Sequence, residues 1–121
     1  MEKKVTETSF DLSFIKLNGI DLRGLNFDGT ILQWANFEGA DLRGVSFKGA
    51  NLDSANLGKA NLEGADFSGS YFRCANIREA NIENTNFDNA NMEWCYLDES
   101  YGRYLGHEGL IREDGCFKPT H

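Results

Sequence analysis

Large apolar residues stand at every fifth position from Leu12 to Leu97, and the residues between them keep the same beat. Cut from Phe10, the chain reads in units such as ANFEG, ADLRG and ANLDS, eighteen of them up to Glu99 without an insertion. Position one of a unit is small and most often Ala, position two is mostly Asn or Asp, position three is large and apolar, and position five is frequently Gly. Neither regular structure carries this period: on a helix it rotates the apolar residue by about 140° per unit, and on a strand it changes face every time. The backbone must therefore turn in every unit. Positions one and three share the inward side of a short extended stretch, position two points outward, and polar residues and Gly at four and five supply the turn. The pattern predicts an all-β solenoid coiled around an apolar axis.

Three recurrences set the coil at four units, or 20 residues. Phe27, Phe47, Phe67 and Phe87 recur at that lag and form a core ladder on one wall. The aromatic residues at position five, Phe14, Trp34 and Trp94, share one 20-residue phase. Bulky residues open the first four units, Phe10, Ile15, Ile20 and Leu25, before small ones mostly take over. Nothing lies beneath a first coil, so this quartet reads as an N-terminal cap that shields the core and the free backbone edges. Asn36, Asn56 and Asn76 share one phase at position two, where their amides either hydrogen-bond along the rod or simply support the adjacent turns. Residues 1–9 form a lead-in, 10–99 the solenoid of about 4.5 coils, and 100–121 a tail that leaves the repeat.

The A-(D/N)-(L/F)-x-x unit, repeated over about three-quarters of the chain, resembles that of the pentapeptide-repeat family. The resemblance implies a right-handed quadrilateral β-helix. It also brings an alternative function into view, because some members are similar to a DNA duplex in shape and charge. They bind DNA gyrase, a type II topoisomerase, in place of DNA, protecting or inhibiting it.

Charge narrows the partners. Twelve Lys and Arg against 19 Asp and Glu leave a net of −7, which disfavours direct binding of nucleic acid, since phosphates are neutralised by Lys and Arg. Between 79 and 99 stand Glu79, Glu83, Asp88, Glu93, Asp98 and Glu99 with no basic residue, an acidic patch on the last coil. No run approaches the 18 apolar residues of a membrane span, so a soluble, cytoplasmic protein is expected. Cys74, Cys95 and Cys116 follow no paired spacing, which supports neither a disulfide framework nor a zinc site. His107 and His121 lie outside the repeats, the Gly residues recur as corners, and an open rod offers its carboxylates no cleft. Neither catalysis nor a cofactor is expected.

Departures from the repeat carry the functional signal. Phe14, Trp34 and Trp94 replace the polar corner, and Ile31 and Tyr71 replace the Asn or Asp of position two on the same wall. One wall thus holds two apolar clusters: Phe14, Ile31 and Trp34 near the start, and Tyr71, Cys74 and Trp94 near the end with Tyr96 around the corner. Grouped exposed aromatic residues mark a contact surface. The contact is with a protein partner or a second copy of the chain, unless the tail, which carries Tyr104, Leu105, Leu110, Ile111 and Phe117, covers the wall itself.

Overall fold

The destinations of its five N–H groups explain the shape of a unit. In the unit starting at Ala55, the Ala55 N–H closes a turn onto the Leu52 carbonyl (2.9 Å), Asn56 donates back one coil to Ala35 (2.9 Å), and Leu57 and Lys59 donate forward one coil to Asn76 (2.7 Å) and Arg78 (2.9 Å). The fourth, Gly58, donates to the side-chain Oδ1 of Asn56 (2.9 Å). Every backbone donor is thereby satisfied, as buried backbone requires. Position two is Asn or Asp because a short side chain ending in oxygen reaches the N–H two residues on. The same bond recurs from Asp11 to Asn91. Amide stacking along the rod adds to it at two places, Asn76 to Asn56 (3.3 Å) and Asn81 to Asn61 (3.1 Å). Asn therefore serves the turn throughout and the ladder locally.

The computed structural model describes residues 10–98 and two short strands, β1 (Gly109–Ile111) and β2 (Phe117–Pro119), which pair antiparallel with Leu110 opposite Lys118. The lead-in at 1–9, Glu99, and the rest of the tail with His107, Cys116 and His121 lie outside the described residues. Through residues 11–96, each position-two residue forms a parallel bridge with the residue 20 positions on, Asp11 with Ile31 through to Asn76 with Tyr96. Four units thus close one turn, and residues of one phase stack in a column along one wall.

Corners need a left-handed backbone. All the fifth residues from Phe14 to Trp94 have φ between 57° and 73°, the region in which Gly is unstrained and side chains with a Cβ are not. Gly takes eight of these corners and other residues nine. Gly58 is the exception in kind. It stands at position four, where a Cβ would come within 3.0 Å of the Asn76 amide nitrogen and 3.1 Å of the Asn56 Oδ1.

Positions one and three fill the axis, with the Ala residues and the Leu, Ile and Phe residues between 32 and 77 essentially inaccessible. The Phe ladder forms as expected, its rings near-parallel at 5.3, 4.6 and 5.4 Å from Phe27 through Phe87. Phe37 and Phe72, from other walls, pack edge-on or tilted against it. The first coil carries the bulky quartet read as a cap. Ile15 packs on the core, but Phe10, Ile20 and Leu25 remain 65%, 45% and 47% exposed. Among the described residues they form an apolar ring at the open side of the first coil.

Candidate interaction surface

Stacking at a lag of 20 places Phe14, Trp34, Ser54, Cys74 and Trp94 in one corner column, each with a left-handed φ. The wall beside it carries Asp11, Ile31, Asn51, Tyr71 and Asn91 in consecutive bridges. Phe14 and Trp34 stack with ring centroids 6.4 Å apart and planes 2° from parallel. They are largely exposed, and so, to a lesser degree, are Tyr71, Trp94 and Tyr96. Ile31 is half-buried, so it supports the first cluster more than it presents a surface. Cys74 is a free, exposed thiol, whereas Cys95 is buried in the core. Tyr96 belongs to the neighbouring wall, in the column of Asn36, Asn56 and Asn76, and holds the Arg78 guanidinium 5.3 Å over its ring. The wall therefore places the two clusters on one side, separated at the corner by the small Ser54.

A polar pair missing from the sequence reading sits between the clusters. Tyr71 occupies position two of its unit and has no carboxylate or amide to receive the N–H of Arg73. That N–H donates instead to Oδ1 of Asp53, one coil earlier (2.9 Å), and the Arg73 guanidinium grips Oδ2 through Nη2 (2.8 Å) and Nε (3.3 Å). Asp53 is buried, and Arg73 remains more than half exposed. Ser46 is relieved in the same way, Asp28 accepting from the Lys48 N–H (2.9 Å). The signal was in the sequence: an Asp at position four, 20 residues before the N–H left bare two residues beyond a position two that lacks Asn or Asp.

Glu79, Glu83, Asp88, Glu93 and Asp98 stand at positions four or five of consecutive units, one wall after another. They form a girdle around the end of the rod instead of a patch on one face, because the chain moves to a new wall every five residues. The Asp98 carboxylate also accepts from the Glu79 N–H (2.9 Å). On the next wall the charges pair internally. Arg23 bonds Asp21 (2.9 and 2.8 Å) and Arg43 bonds Asp41 (2.8 and 2.6 Å). These hydrogen bonds lower the carboxyl of Asp21 to about 2 and hold that of Asp41 below the ordinary range. Among the described residues, no group of three or more His, Cys, Asp or Glu is placed to hold a metal ion, and no helix is long and apolar enough to cross a membrane.

The pentapeptide-repeat family profile matches in eight copies, over residues 11–44, 30–69, 46–84 and 70–101. Among solved structures, the pentapeptide repeat protein Rfr23 from the cyanobacterium Cyanothece 51142 is similar at 31% identity and a TM-score of 0.66, over 74% of this chain and 57% of that one. A pentapeptide repeat protein from Nostoc PCC 7120 is similar at 29% identity and a TM-score of 0.65, over 77% and 73% of the two chains. A third, from the thylakoid lumen of Arabidopsis thaliana, shares 32% identity at a TM-score of 0.50 and covers 97% of this chain and 89% of its own. The chain spans little more than half the length of the Cyanothece protein. No curated protein matches its sequence. The five-residue unit, the 20-residue bridges and these matches together make the chain a member of the pentapeptide-repeat family, whose proteins fold as right-handed β-helices.

Proposed function

We propose that this rod of about 4.5 coils is a non-catalytic interaction or scaffold protein, which engages a protein partner through the wall carrying Phe14, Trp34, Tyr71 and Trp94 with Tyr96 at its border. The observation that supports the reading is the placement of bulky aromatic residues at left-handed corners. A Gly at such a corner is unstrained, whereas a residue with a Cβ costs about 1–2 kcal/mol there, and Trp34 recovers little by burial because it is 61% exposed. Stability alone favours Gly. Aromatic side chains held rigidly outward suit capture of another protein surface, since they offer large contact area at low entropic cost. The free, exposed thiol of Cys74 suits a reducing compartment such as the cytoplasm.

Trp34→Glu tests this reading. Its side chain leaves the corner outward, so the β signal in circular dichroism is expected to match the wild type while partner capture from the native cell is lost. Capture at wild-type levels by a folded variant overturns the assignment of the wall. The acidic girdle supports a second reading, a DNA mimic that binds a type II topoisomerase. In a supercoiling assay, inhibition by the purified protein or its protection of gyrase from quinolones supports that reading, and the absence of both at excess removes it.

A further inference from the structure

Among the described residues, the first coil presents an unpaired edge. In every later coil the position-two residue donates its N–H to, and accepts at its C=O from, the coil before it, as Ile31 does with Phe10 and Leu12. The corresponding N–H and C=O groups of Asp11, Lys16, Asp21 and Asn26 have no hydrogen-bond partner among the described residues. They surround the exposed ring of Phe10, Ile20 and Leu25. An occupant must therefore bring four short strand edges around a square together with an apolar centre. Another solenoid end has that form. Moreover, a single residue offering both its N–H and C=O in one direction is the element that a hydrogen-bonded antiparallel pair exchanges with its twin.

We propose that two copies of this chain join by their first coils, end to end, about a two-fold axis perpendicular to the rod, giving an antiparallel pair on each of the four walls. Charge restricts where the axis runs. Axes through the middle of a wall set like charges opposite each other: Asp11 on Asp11 and Asp21 on Asp21, or Lys16 on Lys16 with Asp11 on Asp21. Axes through the corners pair Lys16 with a carboxylate twice, either Asp11 or Asp21 of the second copy. The climb of the chain selects between these. Each wall stands about a quarter of the coil spacing of about 4.8 Å above the one before it, so an axis at the Phe14 corner leaves the walls of Asp21 and Asn26 a full coil farther apart than those of Asp11 and Lys16, whereas an axis at the Gly19 corner sets all four walls at one separation. With the axis at Gly19, Lys16 pairs with Asp21 at the backbone separation of about 5.5 Å of such pairs, and Asp11 faces Asn26.

This contact lies at the end of the rod and does not depend on what the aromatic wall captures. Sedimentation of the full chain at concentrations up to about 100 μM is expected to show a monomer–dimer equilibrium. Lys16→Asp and Asp21→Lys are each expected to weaken the dimer by about tenfold or more, the double variant carrying both to restore it, and Asp11→Lys to leave it intact. Folding of each variant is checked by circular dichroism. In a Cys74→Ser, Cys116→Ser background, Gly19→Cys, whose Cβ meets nothing within 4 Å, is expected to form a disulfide-linked dimer on mild oxidation. A strict monomer, open-ended polymers, or a dimer indifferent to Lys16→Asp overturns the proposal. The two surfaces separate experimentally, because Lys16→Asp removes the dimer and leaves the central and distal wall intact, whereas failure of Trp34→Glu to affect capture bears on the wall alone.

Discussion

Removing the Phe67 ring tests the distributed core at its densest point. The side chain is fully buried and touches three others, stacked on Phe47 at 4.6 Å and Phe87 at 5.4 Å and tilted against Phe72 at 4.7 Å. Lost burial accounts for about 1.5–3 kcal/mol, and aromatic pairs contribute about 0.5–1.5 kcal/mol each beyond their area. The remaining question is whether the cavity collapses. Coils above and below Phe67 are held by the Phe47 N–H on the Asp66 carbonyl and the Phe67 N–H on the Asn86 carbonyl, both 2.7 Å. Closing the void would break these ladders, so the walls stay and the cavity term is retained. Phe67→Ala is therefore expected to cost about 3–5 kcal/mol. Phe27→Ala, at a half-buried first-coil position with coil neighbours on one side only, is expected to cost roughly half as much. Urea unfolding followed by circular dichroism, with the two variants and wild type compared at a common slope, measures both. A loss under 1 kcal/mol at Phe67, or equal losses at the two sites, would refute the reasoning that stacked coils hold the core open.

Asp53→Ala strips the Arg73 N–H of its acceptor and is expected to cost about 1–3 kcal/mol; adding Tyr71→Asn supplies the missing side-chain oxygen two residues before Arg73 and is expected to recover part of the loss in the same urea assay. Acid sensitivity has a defined window. Folded Asp21 has its carboxyl at about 2 against an ordinary value of 3.8, chiefly through its hydrogen bonds from Arg23, and Asp41 is lowered in the same sense by Arg43. Between those values the unfolded chain binds protons that the folded chain does not, so this stabilisation is complete above 3.8 and is lost as pH falls toward 2. Urea midpoints are expected to stay level from pH 6 to 4.5 and to drop below pH 4, and Arg23→Gln to reduce that drop; an unchanged drop removes Asp21 as its source.

The fold was legible because every unit solves the same local problem. The placement of Leu12 to Leu97 at a period of five, together with Gly at eight of the corners, specified a turn in each unit, and the recurrence of Phe27, Phe47, Phe67 and Phe87 specified the coil. The aromatic column was legible for the same reason, since a fixed lag converts directly into a shared corner. Handedness was not, because spacing is identical in a coil and its mirror image.

Other features depended on neighbours distant in sequence. The partnership of Asp53 with Arg73 requires a coil-to-coil contact that only a bare N–H beyond Tyr71 makes necessary. Similarly, the exposure of Phe10, Ile20 and Leu25 beside the packed Ile15 follows from which described residues lie against the first coil. The acids from Glu79 to Asp98 are contiguous along the chain and encircle the rod in three dimensions. By itself the sequence determined the unit, the coil and the columns, because these follow from local turns and a constant period. Only the tertiary structure decided which donors lacked partners, which apolar residues stayed open and how charge was distributed around the axis, because burial and pairing depend on which coil lies above and below.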